Sequence, residues 1–289
     1  MKIAIFGKAY ASDKLSAIKQ IFDLLVKHRA EFIIDSEFKR SLDNIGIDLP
    51  CCDIFTGNDF HGDIAFSLGG DGTFLKTAER VGNKGIPILG INLGRLGFLA
   101  DVQEDEIESA IIDIQNGNYH IEDRALLQVT HGYEGCWPYA LNEVAVLKLD
   151  TSAMITIHAY LNGVFLNTYQ ADGLLVATPT GSTGYSLSAG GPIVVPQASN
   201  FIITPVAPHS LNVRPLVISD NDEIRLTIES RSPYFLISLD GRSQELHSGY
   251  SITLRKAPFP IRVIKRNEYT YCDTLRKKLM WGADLRSHL

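Results

Sequence analysis

The first part of the chain alternates short apolar runs with amphipathic stretches. Residues 3–6 read as a strand. Leu15, Ile18, Phe22 and Leu25 then recur at spacings of three and four, marking one face of a helix that Ser12 or Asp13 can cap. Further strands are predicted at 32–34, 64–68 and 86–91, and helices over 73–81 and 104–114. Repeated over residues 1–118, this pattern predicts β-α-β units around a mostly parallel, Rossmann-like sheet. From about residue 119 the period drops to two. Runs rich in Val, Ile, Thr, Tyr and Phe recur at 126–130, 155–161, 174–177, 224–228, 234–239 and 252–254, with hairpin signals at Asn162-Gly163 and Asp240-Gly241. They predict an all-β, sandwich-like domain over 119–264. A third segment, 265–289, carries a helix predicted at 274–281 around Leu275 and Leu279.

Composition sets limits on partners and location. The 289 residues are 45% hydrophobic and 21% charged, enough apolar material for one large domain or two smaller ones. Lys and Arg number 27 against 33 Asp and Glu, and the net charge of -6 gives no reason to expect nucleic acid or an anionic membrane as partner. Cys51, Cys52, Cys136 and Cys272 form no CxxC pair and read as the reduced thiols of a cytoplasmic protein. The apolar N-terminus is too short for a signal peptide, and no stretch approaches the ~18 apolar residues of a membrane span. A soluble, cytoplasmic protein is expected.

Three motifs carry chemistry. The first, Gly69-Gly70-Asp71-Gly72-Thr73, follows a predicted strand and opens a predicted helix. Its glycines let backbone N–H groups approach a phosphate, and the helix N-terminus favours negative charge. It is neither a Walker A loop nor a GxGxxG fingerprint. Asp71, a carboxylate among phosphate-facing donors, suits proton acceptance from an attacking hydroxyl or a place beside Mg²⁺. Its bland alternative is a turn Asp capping the next helix. The second motif is Asp172-Gly173 and, after a strand, the Gly, Ser and Thr-rich loop 178–192, which offers many donors to a polyphosphate or a ribose. A self-packed Ω-loop is its structural alternative. The third, Asn142-Glu143, sets an amide beside a carboxylate, fit for ribose hydroxyls or an adenine edge, or for an ordinary surface turn. His209, flanked by prolines, is expected to play a structural part, and no histidine spacing suggests a metal site.

These motifs, with Pro208-His209-Ser210-Leu211, Arg214-Pro215, Leu275-Arg276-Lys277-Lys278-Leu279 and Trp281-Gly282, occur in an order that resembles the NAD kinase family over residues 64–282. Loop 178–192 is the specific feature, since diacylglycerol kinases and 6-phosphofructokinases share the glycine-aspartate motif. The resemblance implies a Rossmann-like α/β domain, a β-sandwich-like domain, and a final segment returning to the first, with the active site in the crevice between the two. It implies Asp71 as general base, with Gly69, Gly70 and Gly72 at the substrate. Asn142 and Glu143 would bind the adenosine end of NAD, with Asp172 a further contact. Thr183, Gly184, Tyr185, Ser186, Leu187 and Ser188 would close over the dinucleotide. Lys76 matches a position often basic in the family, where it would meet a phosphate, or else it is a solvated lysine. A polar residue at the position of Gln170 tends to accompany NAD rather than NADH specificity. Two departures stand out: Gly184 where Ala is common, which loosens the loop, and Arg242 where Gln is frequent.

The expected activity is transfer of the γ-phosphate of ATP, with Mg²⁺ or another divalent cation, to the adenosine ribose 2′-hydroxyl of NAD. Phosphoryl transfer leaves positioning and electrostatics to the protein. The partners expected are NAD, ATP and other copies of the chain in a homodimer or homotetramer. Two rivals are a lipid or sugar-phosphate kinase sharing the glycine-aspartate loop, and a non-catalytic NAD(P)-sensing regulator. The specific second loop opposes the first rival, and the carboxylate at 71 opposes the second.

Overall fold

The structure, a computed structural model, describes residues 1–8, 14–94, 97–100, 102–149, 153–267 and 270–281. Ser12, Asp13 and Gly282 lie outside the described residues. The chain divides into two compact units, Met1–Glu122 with Ile261–Leu289, and Asp123–Pro260.

In the first unit, β1 (Lys2–Gly7), α1 (Leu15–Lys27), β2 (Glu31–Asp35), α2 (Ser36–Asn44), β3 (Asp53–Phe55), β4 (Ile64–Leu68), α3 (Asp71–Val81), β5 (Ile88–Ile91), α4 (Ile107–Asn116) and β6 (Tyr119–Arg124) follow in order. Their sheet runs β3-β2-β1-β4-β5, continues with the strand Ile261–Arg266, and ends on β6. β1 pairs in parallel with β2 and β4, and β5 with β4 and with Ile261–Arg266. Such a sheet is covered on its faces, and β4 accordingly has no polar side: all five of its residues are buried. Ile18, Ile21 and Phe22 of α1 and Ile107, Ile111 and Ile114 of α4 share one core with Ile3, Ile5 and Phe66.

The chain folds into more elements here than periodicity showed. α2 buries only Phe38 and Leu42, four residues apart, too few to stand out in a polar segment, and depends on Asp35, whose carboxylate accepts the Phe38 N–H at 3.2 Å. Two strands within 119–264, the stretch read as all-β, belong instead to the first sheet: β6 and Ile261–Arg266. Alternation identifies a strand, not the sheet it joins. The second of these is held by buried Arg266, which donates to Asp113 of α4 at 2.9 Å and to Ser109 Oγ at 3.1 Å.

The second unit contains β7 (Leu127–His131), β8 (Tyr139–Ala140), β9 (Glu143–Lys148), β10 (Ile155–Leu161), β11 (Val164–Ala171), β12 (Gly173–Ala177), α5 (Tyr185–Ser188), β13 (Asn200–Val206), β14 (Leu216–Ser219), β15 (Ile224–Glu229), β16 (Tyr234–Leu239), β17 (Arg242–His247) and β18 (Ser251–Lys256). The chain then returns to the first unit as β19 (Ile261–Arg266) and α6 (Tyr271–Leu279). Two six-stranded sheets form, ordered β11-β10-β15-β18-β7-β8 and β14-β13-β12-β9-β16-β17. Val129, Ile157 and Leu226 from one and Val146, Val176 and Phe235 from the other share a core, which makes a sandwich. Both predicted hairpin turns form. Asn162 and Gly163 take φ of 49° and 81°, and Asp240 and Gly241 of 49° and 84°, the left-handed pair that a two-residue turn between twisted strands requires.

Candidate functional site

In the first unit the glycine-aspartate loop joins buried β4 to α3. Gly69 N donates to Ile91 O at 2.8 Å, tying the loop to β5. Gly70 is the N-cap of α3 and Asp71 its first residue. A Cβ built at Gly70 or Gly72 would meet nothing within 4 Å, and neither residue has the positive φ that demands glycine. Among the described residues nothing accounts for these two glycines. They leave the backbone at the head of the helix without side-chain cover, the arrangement in which a helix start receives an anion. Lys76 stands exposed one turn on.

Asp71 does not cap α3. Its Oδ2 accepts the N–H of Phe98 at 2.9 Å, and its Oδ1 accepts those of Leu99 and Ala100 at 3.0 and 3.2 Å. Gly97 makes that approach possible, because a Cβ there would lie 2.0 Å from Asp71 Oδ1. From α6, Lys278 Nζ reaches Oδ2 at 3.4 Å. The motif marks residue 71 but not the donors that surround it. The glycines at 94 and 97, just after a buried strand, were the available signal for the partner loop. Among the described residues no three His, Cys, Asp or Glu side chains are grouped to hold a metal ion, and Asp71 spends both oxygens on the donors above.

In the second unit Asn142 and Glu143 form a corner at the head of β9, gripped from two sides. On one side Asp240, the first residue of the β16–β17 turn, accepts the N–H groups of Leu141, Asn142 and Glu143 at 2.7, 2.8 and 3.2 Å. Arg242, the departure noted in the sequence, donates to the carbonyls of Leu239 and Tyr139 and braces the same turn. On the other side Thr178 donates through Oγ1 to Leu141 O at 2.5 Å and through N to Asn142 O at 2.9 Å. Gly181 packs so closely that a Cβ would fall 2.0 Å from Asn142 O.

Loop 178–192 contains two short helical turns. It winds through a short 3₁₀ turn, Thr180–Thr183, into the one-turn helix α5. Thr183 is half-buried, and Tyr185 and Ser188 are exposed. Ser186 is buried, its hydroxyl 3.0 Å from Thr204 Oγ1, so it fastens the loop instead of facing outward. Gly184 lies against Glu143, and a Cβ there would come within 3.2 Å of Glu143 Oε2. Asp172 is paired with Lys148 at 2.7 Å, and Gly173 is demanded by packing, since its Cβ would meet Val146 O at 2.4 Å. Gln170 is exposed on β11, where its carbonyl accepts the His209 N–H at 2.9 Å.

Glu143 is electrostatically unusual. Burial, and secondarily the Asp240 carboxylate, push its carboxyl up to about 7 against a backbone N–H of Tyr185 that pulls the other way, and Oε2 has no hydrogen-bond partner. The unfolded chain loses this proton near 4.5 and the folded chain near 7. Between those values only the folded state holds the proton, so this contribution to stability is full below 4.5, falls as pH rises, and is gone above 7. Glu143→Gln, which cannot ionise, is expected to be more stable than the native chain above neutrality by up to about 3 kcal/mol, with the gap closing in acid. Denaturation curves at the two pH extremes check this, and a gap independent of pH contradicts it.

A bare glycine helix start beside a fixed carboxylate, and a polar corner under a hydroxyl-rich loop, on an α/β unit and a β-sandwich unit, define a nucleotide-dependent phosphotransferase. Residues 3–119 match the ATP-NAD kinase N-terminal domain and residues 141–266 the ATP-NAD kinase C-terminal domain. The chain belongs to the ATP-NAD kinase family. It is 53% identical to an NAD kinase of Bacteroides fragilis over 289 residues, covering 99% of this chain and 100% of the relative, and 45% identical to one of Porphyromonas gingivalis, covering 99% of each. Among solved structures, yeast NADH kinase complexed with NADH superposes with a TM-score of 0.87 at 25% identity, covering 99% of this chain and 89% of that one. An Archaeoglobus fulgidus NAD kinase in complex with ATP gives 0.77 at 27% identity, covering 97% and 99%.

Proposed function

We infer that the chain carries out its family's reaction, phosphorylation of NAD to NADP by ATP, and we propose how its residues divide the work. The observation that carries the reading is the open glycine backbone at the start of α3 followed at once by a carboxylate fixed on three N–H groups. Gly69, Gly70 and Gly72 offer backbone to phosphate, with Lys76 free to lean in from the next turn. Asp71 is the general base. The adenosine ribose 2′-hydroxyl of NAD attacks the γ-phosphorus and gives up its proton to Asp71, while the electron pair of the breaking P–O bond leaves on ADP. The protein's share is orientation and charge.

Asn142 and Glu143 hold the adenosine end of NAD through the amide and the unpartnered carboxyl oxygen, and Asp172, at the other end of the β9–β12 pair beside Lys148, is a further NAD contact. Thr183, Gly184, Tyr185, Leu187 and Ser188 form the cover, and Ser186 anchors it. Mg²⁺ arrives with ATP on its phosphates, the usual habit of this ion, and no protein residue is assigned to it. We also propose a preference for NAD over NADH, on the strength of the polar Gln170, a cytoplasmic location consistent with four free cysteines, and a homodimer or homotetramer. Exposed Val164 and Phe165 on edge strand β11 favour self-association. No helix among the described residues is long and apolar enough to cross a membrane.

A coupled assay tests the reading: ATP, Mg²⁺ and NAD are expected to yield NADP, with NADH phosphorylated more slowly. A chain that bound NAD without producing NADP would be a sensor. One that consumed ATP only with a lipid or a sugar phosphate would be the other kinase.

A further inference from the structure

We propose that Lys278 of the C-terminal helix is a positioning residue for Asp71, holding the one acceptor site of its carboxylate through which a substrate hydroxyl can enter. The inference rests on the reading of Asp71 as general base.

An ionised carboxylate has about four lone-pair sites. At Asp71 all four are engaged. Oδ1 takes Leu99 N and Ala100 N, and Oδ2 takes Phe98 N and Lys278 Nζ. The three backbone donors cannot withdraw alone. Their loop is tied across β5 by Asn92 N to Val102 O at 2.7 Å and Val102 N to Gly90 O at 3.3 Å, and Gly97 is wedged against Oδ1. Lys278 differs on each count. Its contact is the longest of the four at 3.4 Å, it rides on a flexible four-carbon stem, and its ammonium lies 4.2 Å from the Phe98 ring centroid. A cation over an aromatic face has a second resting place when it yields its first.

The arrangement divides the carboxylate into a fixed side and an exchangeable one. At rest Lys278 holds Oδ2 and balances its charge. When the hydroxyl arrives, the ammonium gives way and the proton passes to Oδ2. The new O–P bond forms, the P–O bond to ADP breaks, and its electron pair leaves with ADP. The neutralised carboxyl no longer needs a cation, which is then left among the phosphates. The fold prepares this. α6 is fixed at its start by a reciprocal cap between Thr270 and Asp273, and its last turn carries Arg276, Lys277 and Lys278, where the helix dipole favours positive charge. Arg276 turns back to Asp273, and Lys278 turns to Asp71.

The test is a double-mutant cycle on the full chain, with NADP formation as readout. Lys278→Met is expected to lower kcat by roughly tenfold, the scale of coupling between contacting side chains, with KM for NAD within about twofold. Lys278→Arg is expected to restore most of the loss, since it returns a cation that a merely space-filling role would not require. Combined with Asp71→Asn, Lys278→Met is expected to cost little more than Asp71→Asn alone, because the two act as one unit. Native kcat in Lys278→Met, or losses that multiply in the double variant, overturns the inference. Near-native turnover in Asp71→Asn itself overturns the reading beneath it, so the two failures are told apart by which single variant stays active. Should Lys278→Met prove unstable, Lys278→Gln read against Lys278→Arg gives the same comparison.

Discussion

Asp71→Asn is expected to reduce kcat by about 10²- to 10⁴-fold, the range for removing a general base, in a protein that still folds. An amide keeps the shape of the carboxylate and one acceptor oxygen, so Leu99 N and Ala100 N remain served. Its NH₂, however, would face the Phe98 N–H and the Lys278 ammonium, donor against donor. Of the two hydrogen bonds lost, the shorter one from Phe98 N should alone cost about 1.5–3 kcal/mol of stability. Initial rates of NADP formation beside a thermal melt separate the two effects. A folded Asp71→Asn enzyme with turnover close to native would remove residue 71 from the chemistry.

The second large effect is expected at a residue that the sequence marked only as a turn. Asp240→Ala strips three backbone N–H groups, at 141, 142 and 143, of their acceptor at once. Orphaned polar groups of this kind cost about 1–3 kcal/mol each where water cannot replace the partner, so a fall in melting temperature of many degrees is expected. The functional consequence is separate. Asn142 and Glu143 would lose the side of their clamp opposite Thr178, and KM for NAD should rise by roughly tenfold or more while kcat at saturation changes less. Asp240→Asn is the intermediate case. Its single oxygen can still serve Asn142 and Glu143, leaving only Leu141 unpaired. If Asp240→Ala melted early yet bound NAD as tightly as the native chain, the corner would not be where NAD is held.

Legibility followed how local each signal was. β4, β10 and β16 were read with their observed limits, because each is a pure apolar or alternating run ended by a glycine, an Asn-Gly turn or an Asp-Gly turn. The terminal helix was read three residues late, since its start depends on the Thr270–Asp273 cap and not on an apolar stripe. α2 escaped, having two buried residues to show. The site divided in the same way. Asp71, Asn142 and Glu143 stand in motifs whose residue types announce chemistry. Their supports do not: Gly97, Asp240 and Lys278 acquire meaning only from partners far away in the chain, such as the 207 residues that separate Lys278 from Asp71. Ser186 stands in the same loop as Thr183 and Tyr185 with its hydroxyl on Thr204, a partner that the loop's composition does not announce.

The place of β19 in the first sheet bears on how this protein is made. Between β5 and β6 lies a slot that only residues 261–266 fill. During synthesis the leading strands leave the ribosome long before that filler exists, and the whole sandwich emerges in between. The nascent α/β layer therefore waits with the facing edges of β5 and β6 unpaired, a period in which aggregation competes with folding. The sandwich, which draws all its strands from one continuous stretch, needs no such delay and can be complete before the layer that precedes it.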